Sequence, residues 1–244
     1  MLLLFILFNL MCYIHVMDFN FFLFTLFNAP KKVIAPKIDL SAYITIDLSI
    51  KNANLNKNHL NSSESFSKYI DSYLKKHSKK IAFGGYLEKR KIYNRSTHFN
   101  TENTENERNI HLGIDLWCSE NTPVLAALNG TIHSFKNNIA FGDYGPTIIL
   151  EHCIDGITFF TLYGHLSLDS ITNLSVGTKV KAGEIIGYLG TAEVNGDYPP
   201  HLHFQIIKDV QGNFGDYPGV CSANELDFYK ANCPDPNLIL KLKG

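Results

Sequence analysis

From about residue 81 to residue 208 the sequence breaks into short apolar runs. TPVLAALN, GTIHSF, PTIILEHCI, ITFFTLYG, KVKAGEIIGYLG and HLHFQII are separated by Gly, Pro, Asn and Asp, the residues that end strands and make turns. Runs this short bury themselves best as paired strands. The stretch therefore predicts antiparallel sheets in a sandwich or flattened barrel. Within it, Asp155-Gly156 lies between Ile154 and Ile157 and reads as a two-residue hairpin turn of the type I′ kind. The 17 Phe and 12 Tyr, against 3 Met and 1 Trp, also favour strands.

The chain has 244 residues, enough for a domain that buries its own core without disulfide staples. Hydrophobic residues at 45% and charged residues at 18% argue against a mostly disordered chain. Lys and Arg total 22 and Asp and Glu total 23, so there is no basic footprint, and nucleic acid is not an expected partner. The 5 Cys are scattered with no CxxC, which argues against a cysteine-based zinc site. Cys221 and Cys233 either pair across a short loop or stay free.

Residues 1–30 form a hydrophobic segment whose one charged residue is Asp18. It is long enough to span a bilayer and is followed by Lys31 and Lys32. It lacks the positive start of a secretory signal, and Asp18 is costly in mid-membrane. Three readings stand: an anchor or atypical signal giving membrane association, a true start at Met17, and a buried pair of strands. The first places the chain in the cell envelope; the unpaired-looking cysteines leave a cytoplasmic location open.

Residues 31–80 read as a short N-terminal α/β extension. The alternation over 33–50 predicts one or two strands, and 51–64 a loop. An amphipathic helix is expected near 64–79, with Phe66, Tyr69, Ile70, Tyr73 and Leu74 on one face, Ser63 as its cap and lysines at its end. The strand-rich unit then runs from 81 to 215. A closing segment, 216–244, carries a short helix over 221–233 ended by Pro234 and Pro236.

Three histidine motifs stand out: His111-Leu-Gly-Ile-Asp115, Tyr163-Gly-His165-Leu and His201-Leu-His203-Phe. On a strand, His201 and His203 point the same way, roughly 7 Å apart. Two imidazoles on one face make poor core residues, because each carries polar nitrogens that need partners. A metal explains them better. A catalytic zinc needs three protein ligands and an open position, which His111, Asp115 and one of the His201/His203 pair supply if they converge. The other histidine of the pair would take a proton from water, and His165 would stabilise an oxyanion. His15, His59, His77, His98 and His133 read as surface or satisfied residues; the environment of His152 is open.

The ordered set from His111 to Gln205 resembles the LytM/lysostaphin-type zinc endopeptidases, peptidase family M23. HLGIDLWCSENTPVLAALNGTI is similar to that family's opening block, and TLYGHLS, VGTKVKAGEIIGYLG and HLHFQI to its later ones. The resemblance implies one zinc ion bound by His111, Asp115 and His203, with His165 and His201 as unligated catalytic histidines. It implies a mainly antiparallel β domain of the LytM type with the site in a groove. It also implies a peptidase of the peptidoglycan-hydrolase type, acting on stem peptides or cross-bridges. Alternatives are a non-catalytic wall-binding or hydrolase-activating domain, and a zinc peptidase with a non-wall peptide substrate. VGTKVKAGEIIGYLG also resembles biotinyl/lipoyl carriers, but the hairpin tip at Asp155-Gly156 holds no acceptor lysine.

Two departures stand out. TAEVNGDYPP is bulkier than the usual segment before HxH and changes a groove wall, and Gln205 stands where many members carry Glu. Arg90, Tyr93 and Arg95 read as solvated surface or as one end of the groove. Because every site residue lies beyond position 110, a chain starting near Lys31 is expected to fold and hold its metal.

Overall fold

A computed structural model describes residues 18–26, 28–96 and 106–243. His15, His98, Cys12 and the first half of the apolar N-terminal segment lie outside them. The described chain is mainly β. One open sheet of eight strands runs in the order β1-β2-β4-β11-β8-β7-β6-β9. Its members are β1 (Tyr43–Thr45), β2 (Ile81–Gly84), β4 (Ile114–Trp117), β6 (Gly130–Asn138), β7 (Gly145–Ile154), β8 (Ile157–Gly164), β9 (Lys179–Val180) and β11 (His201–Ile207). Two ribbons of two strands complete the set: β5 (Pro123–Leu125) with β10 (Ile185–Tyr188), and β3 (Ile110–His111) with β12 (Val220–Cys221).

The strands are thus not shared between two comparable sheets, and the large sheet is mixed. β1 runs parallel to β2, while the other pairs are antiparallel. The reason is continuity. β6, β7 and β8 pair consecutively, β11 adds to β8, and β4 adds to β11, so nothing interrupts the ladder. The alternation inside each strand records which face is buried, not which sheet it joins. The β7–β8 turn is as expected: Ile154 faces Ile157, and Asp155 and Gly156 both take positive φ, at 51° and 78°.

One row across this sheet positions the site. Gly84, Asp115, His203 and Gly164 lie opposite one another on β2, β4, β11 and β8. The main core packs against the sheet from β5, β10 and residues 126–128. A second cluster joins the N-terminal extension to Trp117 and Tyr198.

In the extension, β1 is the one strand found over 33–50, and a short helix, α2 (Lys57–Leu60), sits in the expected loop. The amphipathic helix α3 spans Ser63–Lys76 and buries Phe66, Ile70 and Leu74. Its cap is Ser62, whose hydroxyl accepts from the Ser65 amide; Ser63 instead donates to Asp197 Oδ1 at 2.6 Å. Ser78 in left-handed backbone ends the helix early, and Lys79 and Lys80 form the link to β2. In the closing segment, Cys221 lies in β12, α4 covers Leu226–Asn232 and α5 covers Asn237–Leu240. Cys221 and Cys233 are both buried free thiols.

The described part of the apolar N-terminal segment is helical, not a strand. α1 (Phe19–Leu26) sets Phe19 and Phe22 edge-on to Phe159, and Leu23 is fully buried in the main core. Among the described residues no helix is long and apolar enough to cross a membrane. Burying one Phe and one Leu contributes about 1.5–3 kcal/mol each. A chain beginning at Lys31 is therefore expected to melt about 10 °C below one beginning at Met17. Leu23→Ala should cost about 3 kcal/mol in denaturant titration, whereas Phe24→Ala, at a position 57% exposed, should change little.

Candidate metal centre

His111 ends β3, and Leu112 and Gly113 turn the chain into β4, where Asp115 sits opposite His203 of β11. The four-residue spacing of His111 and Asp115 thus crosses a break between strands. Gly113 is needed at that break: a Cβ there would stand 2.7 Å from both His203 Cε1 and the Phe204 carbonyl. The three side chains meet. His111 Nε2 lies 2.8 Å from His203 Nδ1 and 3.2 Å from Asp115 Oδ1, and His203 Nδ1 lies 3.1 Å from the same oxygen. Among the described residues this is the set of His, Cys, Asp and Glu side chains that could hold a metal ion.

The set fits zinc in chemistry and size. Tetrahedral ligands at zinc–nitrogen distances of about 2.0–2.1 Å stand roughly 3.3 Å apart, close to the observed triangle. The His111 imidazole is held neutral, as a ligand must be. Burial, reinforced by the Arg90 guanidinium, pushes His111 down to about 4. Burial pushes Asp115 up, but His111, Arg90 and His201 outweigh it and hold the carboxyl well below its usual range.

Each ring nitrogen that faces away from the cluster has an oxygen acceptor. His111 Nδ1 donates to the Gly85 carbonyl at 3.0 Å, which leaves Nε2 bare. His203 Nε2 donates to Gln205 Oε1 at 3.0 Å, which leaves Nδ1 bare. The Gln205 amide is oriented in turn, because its nitrogen donates to the Pro218 carbonyl and to Cys233 Sγ. Asp115 gives Oδ1 to the cluster, while Oδ2 accepts from Arg90 Nη1 at 2.5 Å. Arg90 Nε donates to Glu88.

His201 and His165 stand beside the triangle. His201 Nδ1 donates to the Pro199 carbonyl at 2.8 Å, and its bare Nε2 lies 3.9 Å from Asp115 Oδ1. His165 Nδ1 donates to the Asn195 carbonyl at 2.8 Å, and its ring lies 4.1 Å from that of His201. Burial pushes His201 down to about 4 and, with His201 and His203 nearby, holds His165 well below its usual range. His165 also takes left-handed backbone at φ 64°, strain that suits a residue held for function. Trp117 stacks on His201 at 3.9 Å and 17°. All five residues line one cavity of about 250 Å³.

Two expectations need correction. Arg90 and Tyr93 are not solvated surface: they are 4% and 7% exposed and line the cavity. Arg95 is partly buried and pairs with Asp197, at the groove wall formed by 191–200. The roles of Glu88 and Arg90 were hidden because EKRK reads as a charged surface run; Trp117 and Tyr144, also in the cavity wall, carried no signal beyond their size. His59 and His77 are half-buried and exposed, as expected of residues outside the site. His152 is a satisfied core histidine, bonded to the Asn129 carbonyl and Thr161 and pushed down to about 4 by burial.

Residues 109–214 match Peptidase family M23. The chain is 37% identical over 97 residues to DD-carboxypeptidase/endopeptidase Mpg of Neisseria meningitidis, covering 39% of this chain and 20% of that protein. It is 34% identical over 105 residues to glycyl-glycine endopeptidase ALE-1 of Staphylococcus capitis, covering 42% of this chain and 26% of that protein. The solved catalytic domain of lysostaphin from Staphylococcus simulans is 31% identical, with 50% of this chain and 80% of that chain covered and a TM-score of 0.35. Residues 109–214 thus form a Peptidase family M23 domain within the chain. The chain spans 20% and 26% of the length of these two curated relatives.

Two outcomes follow from this geometry. Gln205→Leu should weaken metal binding about 10–100-fold in chelator competition, and Gln205→Glu should retain it, because an oxygen acceptor is restored beside His203. The metal-free protein should lose stability as pH falls from about 6.5 to about 4. In that window the unfolded chain takes up protons that the buried His111, His152 and His201 refuse, at up to about 3 kcal/mol each. Above pH 7 the contribution is fully present. Urea titrations at pH 7.5 and 4.5 measure the difference.

Proposed function

We propose that this chain is a zinc-dependent endopeptidase that cuts peptide bonds, with peptidoglycan stem peptides or cross-bridges as its substrate class. The observation that supports the reading most is the joint geometry: three ligand atoms within 2.8–3.2 Å of one another, with two further neutral imidazoles in the same cavity. His111 Nε2, Asp115 Oδ1 and His203 Nδ1 would hold the ion. When bound, zinc supplies Lewis-acid polarisation of a carbonyl and lowers the pKa of water.

The remaining steps belong to the side chains. His201 carries a bare Nε2 and accepts the proton of the attacking water. Its fixed Nδ1–H bond to Pro199 keeps that nitrogen available and the ring in place. The tautomer of His165 sets its part. With Nδ1–H committed to Asn195, its Nε2 begins as an acceptor that orients water. It becomes a donor toward an oxyanion or a leaving amine only after it has gained a proton. The low basicity of both rings favours rapid return of the proton to the leaving nitrogen. Trp117 keeps His201 flat against its own ring, so the base does not turn away from Asp115.

An envelope location belongs to the same proposal. It is supported by the endopeptidase names of the relatives and the apolar composition of residues 1–30.

Digestion of purified peptidoglycan by metal-replete protein, with mass analysis of the fragments, tests activity and bond together. His201→Ala and His165→Ala should each keep near-stoichiometric zinc while hydrolysis falls about 10²–10⁴-fold. His203→Ala should lose zinc and activity together. An empty metal site in His201→Ala would reverse the assignment within the HxH pair.

A further inference from the structure

The cavity that holds the histidines is larger than the chemistry needs. Besides the cluster and several charged residues, among them Arg108, Asp143 and Asp216, its lining includes Leu48, Leu55, Leu60, Phe66, Ile92 and Trp117. Each of these six side chains is 7% exposed or less. An apolar cavity of roughly 150 Å³ is enough to admit a benzene ring. The full cavity here measures about 250 Å³, so it has room for an apolar group as well as a reacting peptide unit.

The first five of these residues precede the stretch 109–214 that matches the family. They come from the N-terminal extension and the segment after β2, and they are fastened to the site. β1 adds to β2, and β2 pairs with β4, the strand that carries Asp115 and Trp117. Ser63, at the start of α3, bonds to Asp197, which also pairs with Arg95. Phe66 meets Trp117 edge-on, with ring centroids 5.2 Å apart, and Trp117 stacks on His201. One side chain thus forms both part of the apolar wall and the backing of a histidine of the site.

The wall also contains unused polarity. The Trp117 indole N–H is buried with no hydrogen-bond partner, and so is Arg90 Nη2. A buried donor left unpaired costs stability, so a void holding one suits a ligand that brings an acceptor. An apolar side chain flanked by main-chain carbonyls has that chemistry.

We propose that this cavity is a specificity subsite taking a large apolar side chain, of leucine to phenylalanine size, from the residue next to the cleaved bond. The Trp117 indole N–H donates to a main-chain carbonyl of the same peptide. The proposal rests on the zinc-endopeptidase reading above and shifts its preferred substrate away from glycine bridges and alanine-rich peptides. A glycine bridge has no side chain to place there, and an alanine fills little of the space. The preferred substrate is a peptide with a bulky aliphatic or aromatic residue, inside or outside a cell wall.

The test uses the full chain loaded with zinc and a series of blocked pentapeptides, Gly-Gly-Xaa-Gly-Gly, with Xaa as Gly, Ala, Leu or Phe. Purified peptidoglycan is digested in parallel, and mass analysis reads both rate and position of cutting. The expected kcat/KM for Leu or Phe exceeds that for Gly at least tenfold, with cutting on one side of Xaa. Leu55→Phe and Leu60→Phe fill the cavity and should lower the Leu-to-Gly ratio about tenfold. Trp117→Phe keeps a ring on His201 but removes the donor, and should lower kcat/KM for the Leu peptide about tenfold. If a filling variant fails to fold, the substrate profile of the unaltered chain still decides. Cutting of peptidoglycan or of the Gly peptide with no preference for a large residue overturns the subsite and leaves the peptidase reading standing. No cutting of any substrate by fully zinc-loaded protein overturns both.

Discussion

Four histidines in one cavity are usable only because each has one ring nitrogen committed elsewhere. His111, His165 and His201 donate Nδ1–H to the carbonyls of Gly85, Asn195 and Pro199, and His203 donates Nε2–H to Gln205. Carbonyl oxygens only accept, so the tautomers are settled by the backbone and by one amide. The bare nitrogens are then Nε2 in three rings and Nδ1 in the fourth. Were these bonds absent, the rings would satisfy one another pairwise, as the 2.8 Å approach of His111 and His203 would allow. Much of the surrounding fold serves these acceptors. The turn after β2 supplies Gly85, and the loop 191–200 supplies both Asn195 and Pro199.

Charge is balanced around the same point. Arg90 is buried between Asp115 and Glu88, each at 2.5 Å, so two carboxylates and one guanidinium leave a net negative environment before any metal binds. A buried ion pair of this kind adds little net stability, but removing one partner leaves the other stranded. Its use here is orientation. With Oδ2 held by Arg90, Asp115 can turn only Oδ1 toward the histidines. The row Gly84, Asp115, His203 and Gly164 explains why this is possible within a close-packed sheet. The two glycines flank the functional pair, and a Cβ at Gly164 would stand 2.6 Å from the Tyr144 ring.

How much of this could be read from the chain depended on how local each signal was. His201 and His203 share a face because strand periodicity is two, and HLHFQII does form β11. The Asp155-Gly156 turn was equally local. HxxxD was readable as a pair of residue types but not as geometry, since the two residues lie on different strands joined at Gly113. Arg90 was missed for the opposite reason. Its neighbours Glu88, Lys89 and Lys91 describe a solvated run, and only Asp115, twenty-five residues on, makes burial tolerable. Ser62 and Ser63 are interchangeable as caps by propensity, and the long-range bond from Ser63 to Asp197 separates them. The assignment of strands to one large sheet is likewise decided by partners distant in sequence.

The family-matched span and the extension divide the work unequally. Residues 109–214 contain all three candidate ligands and both further histidines, so the chemistry needs nothing from the first hundred residues except an acceptor at Gly85 and the charge of Arg90. What the extension adds is enclosure. An open groove would leave His201 and Trp117 wet, and the low basicity of the buried rings depends on burial more than on any neighbouring charge. By covering Trp117 with Phe66, the extension dries the site and strengthens every electrostatic interaction in it. Under the proposed peptidase reading it would also narrow the range of peptides that enter, because a wall that excludes water on one side of the cluster must be met there by an apolar surface on the substrate. Dryness and the proposed selectivity then follow from the same packed side chains.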